Sequence, residues 1–204
     1  MLAFALLELA ATPAAAQDAQ AESSANGAEA ALAAQFAEAA AEAFVIAGAP
    51  NGHHEKLAPL AGSWETRISA WDAPESDPRT GSGAAVFRWV MDGRFLVEEA
   101  QATVEADEIE SFGLLGFDNL TGEYQEIRTR ASLTSMLIGT GSLDETRGEL
   151  TLLSRYQDPI DRGWIRVRRV LGLVSEDAMR LSVFEGDAGA ERLVLQVDYR
   201  RTGR

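Results

Sequence analysis

Gly62-Ser63-Trp64, with the alternating run that continues to Trp71, is the stretch on which the reading of this chain turns. The glycine admits the backbone close to a neighbouring strand, and the indole supplies a large apolar plug for one end of a barrel. Outward from it, short alternating segments recur at the roughly 8–12-residue intervals of an all-β sandwich or barrel. Ten strands are predicted, at residues 64–71, 84–90, 95–104, 109–117, 123–131, 135–143, 149–157, 164–174, 179–185 and 192–201. Turn chemistry separates them: Asp92-Gly93, Asp118-Asn119 with Gly122, Asp144 with Gly148, Asp158-Pro159 with Gly163, and Gly186 with Gly189. Gly and Asn reach positive φ at little cost, as tight reversals require. Nearly every connection is hairpin-short, which predicts an up-and-down meander. Closing that meander into an antiparallel barrel of about ten strands removes the exposed edges of an open sheet.

Composition narrows the function classes. The 204 residues suit one domain with some extra chain, and 46% apolar with 25% charged residues is ordinary for a globular protein. A formal net charge of −14, from 18 Lys and Arg against 32 Asp and Glu, would repel phosphate backbones, so no nucleic-acid partner is expected. Without a cysteine there is no disulfide, thiolate nucleophile or Cys-based zinc site.

Three segments are expected: a signal peptide at 1–16, an Ala/Glu-rich spacer at 17–50 and the barrel at 51–204. The apolar run at 2–11 and Ala14-Ala15-Ala16 before Gln17 resemble an h-region and an A-x-A cleavage site. The run is about half the roughly 20 residues of a membrane-spanning helix, so no stable membrane anchor is expected after cleavage and the location is periplasmic or secreted. Glu8 interrupts the run and no base precedes it. The spacer holds Asp18, Glu22, Glu29, Glu38 and Glu42 and no base; with Glu8 these account for six of the fourteen net charges and leave −8 on the barrel. Leu32, Phe36, Ala40 and Phe44 recur every fourth residue, compatible with an amphipathic helix stopped at Gly48 and Pro50 or with a solvated spacer having a helical turn or two.

The G-x-W opening is similar to that of the lipocalins and their relatives, in which a base on the last strand packs over the tryptophan; Arg200 or Arg201 stands in that place. The whole run His54-Glu55-Lys56-Leu57-Ala58-Pro59-Leu60-Ala61-Gly62-Ser63-Trp64-Glu65 resembles the opening of the domain of unknown function 1579 family, a bacterial, lipocalin-like group. Phe87-Arg88-Trp89 before Asp92-Gly93-Arg94-Phe95-Leu96, then Gly116-Phe117-Asp118-Asn119, Tyr156 with Asp158-Pro159, and Asp198-Tyr199-Arg200 follow in that family's order. The resemblance implies a structural closure by Gly62, Trp64 and Arg200. It departs where the family tends to carry Trp and an acid and this chain has Arg128 and Arg130. It implies no activity.

Candidate site residues follow from the two-residue strand period. Tyr124, Glu126, Arg128 and Arg130 share one face, and neither face of that strand is apolar. Pointing inward, the guanidinium groups would clamp a carboxylate or phosphate; pointing outward, they are simply solvated. On residues 164–174 the apolar side carries Ile165, Val167, Arg169 and Leu171, which turns Arg168 outward, whereas the family resemblance makes Arg168 a pocket residue. Trp89 joins Tyr124, Glu126, Arg128 and Arg168 as the expected ligand-binding set. Glu98 and Glu99, being adjacent, face opposite sides and form no paired-carboxylate site. His53 and His54 lie before the first strand and suit capping at the barrel mouth better than metal binding, and no strand histidine exists to hold haem. No catalytic residue, metal or cofactor is assigned.

Three functions are compatible with this. The first is an exported barrel binding a small, partly apolar or anionic molecule. The second is an enzyme, a hydrolase or isomerase using Tyr124, Glu126 and an Arg, which requires these groups to converge. The third is an envelope interaction protein acting through the acidic tail, which requires residues 17–47 for association.

Overall fold

The computed structural model describes the backbone of residues 14–203 and the side chains of Gly27 and of residues 29–203. The signal-peptide expectation lies largely outside the described residues. The chain divides into two units, a helix ending at Gly48 and a barrel from Ala49 to Arg204.

The first unit is α1, Ala14–Gly48, one continuous helix of 35 residues rather than a spacer with a turn or two. Its alanine, glutamate and glutamine have high helix propensity and nothing breaks the run before Gly48. Leu32, Phe36, Phe44, Val45 and Ile46 are all exposed. Within Glu29–Glu55 an 18-residue window has a mean hydropathy of 1.4, by length and composition apolar enough to cross a membrane. Glu38 and Glu42 would oppose that, at a cost on the order of 2.5–3.5 kcal/mol for a charged side chain at a bilayer centre.

The second unit opens with two short turns, α2 (Gly52–Glu55) and α3, a 3₁₀ turn (Ala58–Leu60). Ten strands follow: β1 Gly62–Ala70, β2 Arg79–Val90, β3 Phe95–Val104, β4 Asp107–Asp118, β5 Glu123–Arg130, β6 Leu137–Asp144, β7 Glu149–Gln157, β8 Trp164–Ser175, β9 Ala178–Glu185 and β10 Arg192–Gly203. Each pairs antiparallel with its neighbours in sequence, and β1 pairs with β10, giving a closed up-and-down barrel. The ladder between β5 and β6 has five paired positions, against ten between β3 and β4.

β2 begins five residues before its expected start, because Gly81 and Gly83 are strand residues rather than turn residues. A Cβ at either would collide with the β3 backbone at Thr103 or Gln101. These glycines let β2 and β3 approach where the sheet coils. Gly141 does the same against the Thr151 carbonyl.

One end of the barrel is plugged. Trp64 is 1% exposed, and its indole N–H donates to the Leu60 carbonyl at 2.9 Å. Leu57, Leu60, Phe87, Met179 and Tyr199 belong to the same core. The base over the indole is Arg201, with its guanidinium carbon 4.0 Å from the ring centroid; Arg200 is exposed on the outer face. The reason is the two-residue period: Arg201 follows the buried Val197 and Tyr199 on the inner face of β10, and the unbroken register from Ala70–Leu195 onward sets it opposite Trp64. Arg201 also donates to the carbonyls of Ala61 (2.7 Å), Pro59 (2.6 Å) and Glu176 (3.1 Å), tying α3 to the last strand.

Candidate binding site in the barrel interior

Tyr124, Glu126 and Arg128 point inward, which the sequence left open. What decides it is their partners. Arg128 donates to Glu98 of β3 in a very short contact and lies 3.7 Å from Glu126, and Arg169 of β8 donates to the same Glu126. The Tyr199 hydroxyl donates to the second oxygen of Glu98 at 3.3 Å. Two carboxylates and two guanidinium groups from three strands, with the Tyr199 hydroxyl from a fourth, thus form one network across the barrel. Glu98, Glu126 and Arg169 are about 5–6% exposed. Gly113 makes room for it, since a Cβ there would lie 2.9 Å from an Arg128 nitrogen.

The electrostatics follow from that geometry. Burial pushes the Glu98 carboxyl up, but Arg128, then Arg169 and the Tyr199 hydroxyl, outweigh it and hold its pKa below the usual value. Burial works against the charge of Arg128, and Glu98 and Glu126 reverse this and raise its pKa. Burial, then the Glu98 charge, raise that of Tyr199. Next to the network is a cavity of about 20 Å³, lined by Phe87, Leu96, Leu152, Leu171 and Leu181 among others. It has room for about one water molecule.

Above this floor the barrel opens. The inward side chains of Ile68, Ala102, Ile109, Ser111, Leu137, Ser154, Tyr156 and Ile165 are only part-buried, with Val104, Val167 and Val197 buried among them, whereas Trp64, Leu57, Leu60 and Phe87 at the other end are buried. These part-exposed inward side chains form the mouth of a funnel, and the network at its foot is itself buried. The Ser154 hydroxyl is buried and has no hydrogen-bond partner among the described residues. Tyr156 donates to Glu185 at 3.0 Å, and Glu185 lies 3.5 Å from Arg192; burial, then the Glu185 charge, push the Tyr156 hydroxyl up to about 12. Arg130 stands exposed at the rim, opposite Ser111.

The remaining candidates lie elsewhere. Tyr124 is at the plugged end, where it packs on Phe117 and donates to the His53 carbonyl at 3.1 Å. It does not converge with Glu126 and Arg128, which removes the acid–base set expected of an enzyme. Arg168 is on the outer face, bonded to Glu191 at 2.8 Å and stacked 4.1 Å over Phe184. The strand period turns Arg169 inward instead, so apolar patterning predicted this strand better than the family resemblance did. Trp89 is part-buried against the core but does not line the cavity. His53 stacks on Phe117 at 4.1 Å, and His54 forms a capping box with Asn51, accepting from its backbone N–H at 3.1 Å. No metal-ligating cluster occurs among the described residues.

The family model described as "Protein of unknown function (DUF1579)" matches residues 49–201. The chain belongs to this family. The DUF1579 match covers the barrel and leaves α1 outside it. No curated protein matches the chain. Among solved structures, Rv2717c from M. tuberculosis is 20% identical and has a TM-score of 0.52, over 76% of this chain and 99% of its own. The S-type phycobiliprotein lyase CPES from Guillardia theta is 13% identical with a TM-score of 0.48, over 77% and 96%. EF1p2_mFAP2b bound to DFHBI is 12% identical with a TM-score of 0.42, over 73% and 98%. The likeness of the DUF1579 barrel to Rv2717c is one of fold.

Proposed function

We propose that this barrel is an exported carrier or sensor that binds a small molecule in the funnel above the Glu98–Arg128–Glu126–Arg169 network. The observation that supports this is the unequal filling of the interior: one end sealed by the buried Trp64, the other lined largely by part-buried side chains above a charged floor. A barrel whose only task was stability would be served at least as well by apolar packing, because buried ion pairs give little net stabilisation. A buried charged cluster at the foot of a part-open barrel end supports a binding site instead. Export is supported by the h-region and A-x-A pattern of the first sixteen residues.

Native mass spectrometry of the protein isolated from its own source tests the binding. A retained small-molecule mass, lost in denaturing spectra, is expected; a uniformly ligand-free protein whose melting no small-molecule library shifts would overturn the proposal. Sequencing the mature N-terminus tests export, with Gln17 expected as the first residue and retention of residues 1–16 in the cytosol as the contrary result.

A further inference from the structure

We infer that the ligand of the funnel carries no net charge, an inference that rests on the binding reading above and names the class of molecule it admits. The floor is already balanced: Glu98 and Glu126 face Arg128 and Arg169, and every one of the four touches an opposite charge. Tyr199 spends its hydroxyl proton on Glu98. An anion descending to this floor meets guanidinium groups already bound to carboxylates, and a cation meets carboxylates already bound to guanidinium groups. Either must break an internal pair and leave one buried charge without a partner, the costly outcome for ions out of water.

The charges higher in the funnel do not change this. Glu185 is engaged by Tyr156 and Arg192. Arg130, at the rim, is exposed, and water screens an exposed charge to little value. What the wall offers without a hydrogen-bond partner among the described residues is the buried Ser154 hydroxyl, flanked by Gly139 of β6 and Val167 of β8, with the apolar Leu137 and Ile165 two residues further along those strands. A hydroxyl both donates and accepts, so it matches an alcohol, ketone or amide group. The ligand class is therefore an uncharged molecule with an apolar body and one such group.

Straight-chain alcohols and the carboxylates of the same chain lengths are titrated into the full chain at neutral pH, followed by melting midpoint and calorimetry. Alcohols are expected to bind at least about tenfold more tightly than their matched carboxylates. Ser154→Ala should weaken the alcohols several-fold. Glu98→Gln leaves the floor one positive charge in excess and should shift the preference toward carboxylates. If that variant does not fold, Arg128→Gln leaves a negative excess and should favour alkylammonium probes. Carboxylates binding as well as alcohols to the wild type, or unchanged preference in both charge variants, would overturn the charge inference and leave the binding reading standing. Neither series binding, with ligand-free native spectra, removes both.

Discussion

Replacing Arg201 with alanine separates the closure of the barrel from the mere presence of a base near its end. In the native protein the guanidinium lies 4.0 Å from the Trp64 ring centroid and donates to three carbonyls on two different segments. The side chain is only 9% exposed. A cation–π contact of this kind is worth roughly 0.5–2 kcal/mol, and hydrogen bonds from a charged donor about 1.5–3 kcal/mol each. Water at the barrel end recovers much of the carbonyl pairing, so a net loss of about 2–4 kcal/mol is expected in urea unfolding. Arg200→Ala, on the outer face one residue away, should stay within about 0.5 kcal/mol of wild type. Trp64→Ala should cost about 3–5 kcal/mol, and pairing it with Arg201→Ala in a double-mutant cycle should return a coupling of about 1 kcal/mol. Equal losses from Arg200→Ala and Arg201→Ala, or a cycle with no coupling, would refute the closure.

Arg128→Met leaves the buried Glu98 carboxylate without an ion-pair partner and Glu126 with Arg169 alone, and should destabilise the barrel by about 3–5 kcal/mol, measured by denaturant melts. Because the folded-state pKa of Glu98 is lowered, its contribution is complete above the unfolded value of 4.5 and is lost as pH falls below it; Glu98→Gln should flatten this acid limb of the stability profile. His54 is held neutral, by burial first and then by the neighbouring His53 charge. Its lowered pKa means that stability falls as pH drops below the unfolded value of 6.5, a slope that His54→Gln should remove from thermal melts at pH 5–6.5. Gly141→Ala should cost more than about 2 kcal/mol through the collision with the Thr151 carbonyl, visible as a lowered melting midpoint.

The strand order was legible because alternation and turn residues act locally. The start of β2 was not, because glycine weakens a strand pattern and the closeness of Gly81 and Gly83 to β3 has no local signal. The floor of the site was half legible. Tyr124, Glu126 and Arg128 sit on a strand with no apolar face, so period alone left their direction open. Their direction is fixed by Glu98 and Arg169, residues distant in sequence. Both carried a local signal: Arg169 is a charge between Val167 and Leu171 on the apolar side of β8, and Glu98 shares a face with Leu96 and Ala100. Isolated charges on apolar faces become meaningful only when the barrel brings them together. Of the two bases offered over Trp64, Arg201 is the one that meets it and Arg200, carried in the structural set, is not, because Arg201 shares the inner face of β10 with Val197 and Tyr199.

Pairing of the first strand with the last means that Ser63 lies beside Gly203, so the barrel's two chain ends meet along one ladder. The covalent order of the strands is then a matter of where the ring happens to be cut. A short linker from Gly203 to the residues before β1, with new ends opened between Arg130 and Leu137 beside the five-position ladder, yields a permuted chain with the same hydrogen-bonding neighbours. Such a chain frees the residues beside the funnel rim for attachment of a fluorophore or partner domain.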